Sequence, residues 1–476
     1  METLHDDGEN AEIAEKRAFE IDKGTITSIT DSFLHDIRSL QHAQKETSKV
    51  LSKNIADRSK IVAEFLERLS SKKIDGESEI TTIPANKVEK LLQIVKDLSA
   101  SGSSLPLSHR GLFLVLISKW DTYFANLLRW VYKTKPEIID NSLRAITFSE
   151  LKKIDSIEAA RAKIIADEIS VVLRDSHGDQ FAYLEKKIGA TLTKMDIWPT
   201  FIEISQRRNL IAHTDGKISP QYLEVCRTHG VKIPETATLD SKLEAPPAYF
   251  REACDCLAEI GFKLSQVLSR KLTPDENSKA ESHLIDKTFE MIKDEQYALA
   301  IRILDFFLSS PMKFNDARGR SICIINLALA HKWSGEDTKC QEIVTREDWS
   351  ASSADLLLAV AVLKNDDGTT IDLMKRIGTS KEITKESYQS WPLFKNLRKT
   401  EIFNKTYKEI FGSGMEIGEI LSDVTTKFTL PEVDVPSTLS KSTIAEKKTT
   451  KTDKMESKAG KSSKRKRVQG VKAQQA

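Results

Sequence analysis

Within Arg207-Arg208-Asn209-Leu210-Ile211-Ala212-His213-Thr214-Asp215-Gly216, an arginine, an amide and a histidine crowd one short stretch. A guanidinium offers a planar fork of donors that matches phosphate oxygens, and a histidine changes protonation near neutral pH. Asparagine can orient either. Arg208, Asn209 and His213 are therefore the candidate catalytic residues, and the chemistry they suit is work on a phosphodiester. The five cysteines (Cys226, Cys254, Cys256, Cys323, Cys340) are an odd number without a framework, which points to a reducing, cytoplasmic setting. Cys254-Asp255-Cys256 has one residue between its thiols and no second Cys/His pair nearby, so it reads as small residues on a helix. No metal or organic cofactor is expected.

These residues need an element to hold them. A helix from Pro199 to His213, turning about 100° per residue, gathers Phe201, Ile204, Ile211 and Ala212 on one side as a core stripe. Asn209 and His213 then share a different face. Glu203 and Arg207 have the spacing of a surface ion pair. Arg208 falls on the apolar side, where a guanidinium is costly unless an anion or a carbonyl meets it. It either closes a structural ion pair or meets an anionic ligand at an interface. His213 lies in the last turn, where helix carbonyls favour its protonated form, and Asp215 would add to that effect. Gly216 supplies the left-handed conformation that ends a helix.

The remaining sequence predicts an all-α chain. Apolar residues are 39% and charged ones 30%, with only 19 glycines and 13 prolines, so turns are few and helices long. Residues 1–104 read as an N-terminal helical extension. Its narrow apolar runs (Ile26 to Leu40, Ile61 to Leu69, Val88 to Leu98) are separated by polar breaks at Gly76-Glu77-Ser78 and Ser101-Gly102-Ser103-Ser104. They suit a helical hairpin packed on a neighbour or on a second copy. Residues 105–271 read as an up-and-down bundle: Leu112 to Tyr132, Ile154 to Arg174, Phe181 to Leu192, the motif helix opened by Trp198-Pro199, and Tyr249 to Lys271. In residues 280–413, Leu327-Ala328-Leu329-Ala330 recurs as Leu358-Ala359-Val360-Ala361, each followed by a Gly/Asp turn, which predicts helix-turn-helix repeats. Tyr297 to Leu308 would be a helix of an earlier unit, and Trp391 to Phe411 a capping helix.

Residues 430–476 are rich in Pro, Ser, Thr and Lys and read as a disordered basic tail. Its last part, 441–476, holds twelve Lys/Arg against three acids, about +9, so the rest of a +2 chain is 2 − 9 = −7. The charge suits RNA phosphates, an acidic membrane surface, another copy or nuclear import, with no aromatic residue to stack on bases. No apolar run reaches the roughly 18 residues that span a bilayer, and Met1 to Asn10 is too acidic for a signal peptide.

Arg208-Asn209-Leu210-Ile211-Ala212-His213, late in a helical bundle and followed by Thr214-Asp215-Gly216, resembles the signature of the HEPN superfamily (higher eukaryotes and prokaryotes nucleotide-binding domain). The upstream helix with Trp120, Tyr123, Leu127, Leu128 and Tyr132 is similar to that family's opening helix, and the resemblance covers about residues 108–270. It implies a metal-independent endoribonuclease that acts as a homodimer with a shared cleft, with RNA as its partner. In that role Arg208 would neutralise the scissile phosphate, His213 would shuttle the proton of the attacking 2′-hydroxyl, and Asn209 would orient His213 or a phosphate oxygen. A conditional toxin or antiviral defence effector is the biological role such a layout suggests by analogy. Some toxin members carry a tyrosine two residues after the histidine; here that position is Asp215, which removes that route of modification. The segment 280–413 resembles tetratricopeptide-like repeats with most consensus positions missing, and would hold a protein partner. The alternative is a non-catalytic helical scaffold with a HEPN-like RNA- or nucleotide-binding bundle.

Overall fold

The apolar runs between Ile26 and Leu98 belong to two long helices joined by a small ribbon. The first, α1 (Ile26–Leu69), is one unbroken helix. Strands β1 (Ser71–Asp75) and β2 (Ser78–Thr82) follow as an antiparallel pair whose register runs from Ser71↔Thr82 to Asp75↔Ser78. Then α2 (Ala85–Thr134) begins. The computed structural model describes residues 24–69, 71–75, 78–140, 145–309, 313–380 and 383–415. The expected basic tail, 430–476, lies outside the described residues. Its class is all-α, this ribbon being the one sheet among the described residues.

The expected break at Ser101–Ser104 is absent: α2 runs through it and through Pro106. A proline inside a helix has no N–H to give and crowds the preceding turn. Ser101 and Ser104 bond back to the carbonyls of Asp97 and Ser101 at 2.9 and 2.6 Å. Packing against α1 carries the helix across this weak stretch, with Ser48 Oγ and His109 Nε2 2.8 Å apart. Tertiary contact here overrides local propensity.

At its other end α1 packs on a neighbour within the chain. Phe33 stacks on Tyr123 with centroids 4.2 Å apart, and the edge of Trp120 lies 5.9 Å away. A Cβ on residue 261 would come within 2.8 Å of the Phe33 ring, so Gly261 leaves the space that ring fills. Tyr123 Oη also donates to the Gly261 carbonyl at 2.8 Å.

Short α3 (Glu137–Asp140) and α4 (Phe148–Leu151) lead to α5 (Ile157–Val172) and α6 (His177–Ile188), each of the last two N-capped by a serine, Ser156 and Ser176. The motif helix α7 (Trp198–His213) carries Pro199 in its first turn, as expected. After α8 (Pro220–Thr228), α9 (Pro247–Leu272) closes the bundle and contacts α1, α2, α6 and α7. Trp120 sits at the centre, parallel to Phe181 at 6.2 Å and edge-on to Phe201 at 4.8 Å. Each such ring pair adds about 0.5–1.5 kcal/mol beyond its buried area and fixes how α2, α6 and α7 face one another.

The next helices are α10 (Asn277–Lys293), α11 (Tyr297–Ser309), α12 (Ala317–Trp333), α13 (Asp337–Arg346), α14 (Ala354–Leu363) and α15 (Asp367–Ile377). They pack in consecutive pairs, α12 also touches α14, and the alanines of the two Leu-Ala segments, Ala328, Ala330, Ala359 and Ala361, are buried. The turn within each pair has one geometry. Glu295, Gly335 and Asn365 have φ of 60°, 88° and 59°, and the following N–H bonds the carbonyl five residues back, at 2.8, 2.9 and 3.0 Å. The expected capping helix from Trp391 to Phe411 is broken: α16 (Lys385–Ser390) and two 3₁₀ turns precede α17 (Glu401–Phe411). The described residues form one compact unit.

Candidate functional site

Two cores grip α7 from opposite sides. Phe201, Ile204 and Ile211 enter the main core, whereas Leu210 enters a small second core with Ile218, Tyr222 and Cys226. Ala212, expected in the core stripe, is exposed, because the apolar residues of α7 divide between two cores and leave a strip uncovered. That strip carries Asn209, Ala212 and His213 at the solvent, with Arg208 half-exposed beside them.

The two adjacent arginines have separate surroundings. Arg207, expected in a surface pair with Glu203, is instead largely enclosed: the two side chains are 16% and 12% exposed. Its Nε donates to Glu203 Oε1 at 2.7 Å, its Nη1 to the Glu244 carbonyl at 3.0 Å, and its guanidinium lies 3.8 Å from the Tyr249 ring centre. Tyr222 and Tyr249 donate to the two oxygens of Glu203 at 2.8 and 2.6 Å. Burial, then the charge of Glu203, holds the Tyr249 hydroxyl well above the ordinary range. This hub joins α7, α8 and α9.

Arg208 is 33% exposed and faces a carboxylate. Its Nη2 is 3.4 Å from Asp121 Oδ2, and its Nη1 donates to Asn209 Oδ1 at 3.0 Å. The other oxygen of Asp121 is 2.9 Å from His177 Nε2. One carboxylate from α2 therefore holds a histidine from α6 and an arginine from α7. The aromatic core sets this convergence. Asp121 follows Trp120, His177 lies one turn before Phe181, and the His177 ring stands edge-on to Phe201 at 5.7 Å. Of the two expectations for Arg208, an ion pair within the chain is what its contacts show.

Past His213 the chain turns sharply. Thr214 and Gly216 both donate to the Leu210 carbonyl at 2.9 Å, and Asp215 and Gly216 have φ of 53° and 83°. A side chain on residue 216 would overlap the carbonyl oxygen of Leu243. The strand-like contact Lys217↔Lys242 lies just beyond. Asp215 is engaged by Arg110 and by Lys242 Nζ at 2.6 Å, in place of the expected role beside His213. Arg110 Nε also donates to Glu244 Oε2 at 2.7 Å. That bond, more than burial opposing it, holds the Glu244 carboxyl below the usual range. The end of α7 is thus clamped from α2.

Sequence reasoning missed Asp121 and His177 as partners of the motif. The available signal was Asp121 itself, an acid interrupting the apolar run from Leu112 to Tyr132. Nothing local marked His177, which reads as an ordinary first-turn residue after Ser176. All five cysteines are buried and unpaired, and burial pushes the Cys226 thiol up to about 11. Among the described residues, no group of three or more His, Cys, Asp or Glu side chains could hold a metal ion, and no helix is long and apolar enough to cross a membrane. No family model, curated protein or solved structure matches the chain.

Proposed function

We propose that the protein is a metal-independent endoribonuclease of the HEPN type, working as a homodimer with a shared cleft. The observation that carries this reading is the uncovered strip of α7, where Arg208, Asn209 and His213 reach solvent on a helix otherwise gripped by two cores. Arg208 binds the scissile phosphate. His213 accepts the proton of the ribose 2′-hydroxyl as that oxygen attacks phosphorus, the P–O5′ bond breaks, and the 5′-oxygen takes up a proton. The products are a 2′,3′-cyclic phosphate and a 5′-hydroxyl. Asn209 orients the phosphate oxygen or His213.

Asp121 and His177 are positioning residues in this scheme. At 3.4 Å the Asp121–Arg208 contact is long for a charge-assisted bond, and a phosphate oxygen at about 2.8 Å replaces it. Asp121 then keeps His177, so no carboxylate is stranded when the arginine turns to substrate. The Arg208–Asp121 pair also favours a second reading, a non-catalytic scaffold in which that arginine is purely structural.

The test incubates purified protein with RNA in excess EDTA, alongside Arg208→Ala and His213→Ala. The expected result is cleavage of RNA but not DNA by the parent, abolished in both folded variants. Cleavage surviving both substitutions overturns the assignment, and an inert parent favours the scaffold.

A further inference from the structure

Away from α7, a carboxylate without an ion pair lines a small cavity. The cavity lies between α1, α9, α10 and α11 and has a volume of about 160 Å³. Asp255 of α9 is half-buried in its wall, and its Oδ1 accepts from Gln41 Nε2 of α1 at 3.4 Å. Its Oδ2 has no hydrogen-bond partner among the described residues and keeps accessible surface. The neighbouring cations are taken. Arg38 and Lys287 line the same cavity, the first paired with Asp294 and the second with Asp31 and Glu290. Arg302 of α11 pairs with Glu259. Burial, more than the attraction of Arg302, holds the Asp255 carboxyl above the ordinary carboxylate range. A carboxylate removed from water is costly until a cation meets it, so a positive charge entering this cavity is favoured.

We propose that this cavity binds a small primary amine in its ammonium form. The three N–H donors go to Asp255 Oδ2 and to the side-chain carbonyl oxygens of Gln41 and Gln296. Both amides line the cavity, and neither oxygen has a hydrogen-bond partner among the described residues. The alkyl body lies against Ile37, Met291 and Leu299. Other cations fit less well. A guanidinium forks onto both oxygens of a carboxylate, and Gln41 already holds Oδ1. A quaternary ammonium has no N–H to give, and no Phe, Tyr or Trp ring lines the cavity to receive it. A divalent metal ion draws on several oxygen ligands, and no group of three or more acids, histidines or cysteines among the described residues could hold one. A cavity of about 150 Å³ admits a molecule the size of benzene, so the ligand is a short aliphatic monoamine. This inference stands apart from the RNA reading and survives its failure.

The experiment follows the methionine methyl resonances of the full chain, with that of Met291 assigned by its loss in Met291→Leu. The titrant is butylammonium chloride at constant ionic strength. Expected is a saturable shift of the Met291 signal with a Kd of about 1 mM or below, within the reach of so small a ligand. Asp255→Asn should weaken binding about tenfold or more, the size of one lost charge-assisted bond. Gln296→Leu should weaken it by about threefold, as for a neutral acceptor. Butan-1-ol, of the same length but uncharged, should bind the parent at least as weakly as the amine binds Asp255→Asn. Asp255→Asn should melt no lower than the parent, which separates a lost site from a lost fold. A Met291 signal unmoved at about 10 mM amine, ten times the weakest expected Kd, overturns the proposal. So does an affinity unchanged in Asp255→Asn, or butan-1-ol bound as tightly as the amine.

Discussion

Replacing Arg207 and Arg208 singly by alanine separates two roles held by neighbouring guanidinium groups. Arg207→Ala strips the enclosed Glu203 of its only cation among the contacts described above, and such losses cost about 3 kcal/mol or more. Arg208→Ala gives up a half-exposed pair at 3.4 Å, a change of less than about 1 kcal/mol. Urea unfolding of both variants checks this, and equal losses would show that Arg208 is structural too. The motif was legible at this scale because Arg, Asn and His carry their chemistry in their types. The ranking of the two arginines was not. Helical spacing places Arg208 near Ile204 and Ala212, but only the fold reveals that Ala212 is bare and that Asp121, 87 residues away, meets the guanidinium.

The turn after α7 has to hold His213 in place, and two changes probe it. Gly216→Ala puts a Cβ at φ 83° against the Leu243 carbonyl, so a loss of about 2–3 kcal/mol is expected in thermal melting. A melting point unchanged by Gly216→Ala would remove the clamp from the account. The second probe is acid. The Glu244 carboxyl is held below its ordinary value by Arg110, so its contribution is complete above the unfolded range and is lost as pH falls through the depressed folded value. The parent should lose stability below about pH 4.5 more steeply than Glu244→Gln. Parallel curves would contradict this. The elements themselves were largely readable: Trp198–His213 follows from Trp198-Pro199 and the Asp-Gly stop. The ribbon at 71–75 and 78–82 was missed because Lys and Glu mask a strand signal, although Asp75-Gly76 is a hairpin dipeptide. The third copy of the repeat turn was hidden because Glu295 occupies a left-handed position that glycine or asparagine usually marks.

Across the whole molecule, α1 is the member that binds the parts together. Phe33 reaches the bundle core, and Asp31 pairs with His283 and Lys287 of α10 at 2.9 and 3.3 Å. No periodicity could reveal that link, since it joins the first apolar run to a helix about 250 residues later. A shared cleft requires a second copy, and light scattering should report twice the mass of one chain. A strict monomer that still cleaves RNA would sink the shared cleft while leaving the single-chain chemistry.

The ends of the cut RNA distinguish 2′-hydroxyl attack served by Arg208 and His213 from every other route of cleavage. Cleavage in EDTA should leave a 2′,3′-cyclic phosphate and a 5′-hydroxyl, and a single 2′-deoxy substitution at the cut position should block it. His213→Ala should abolish both products, with Arg207→Lys retaining them if it folds. Products bearing a 5′-phosphate, or cleavage indifferent to the missing 2′-hydroxyl, would contradict the account.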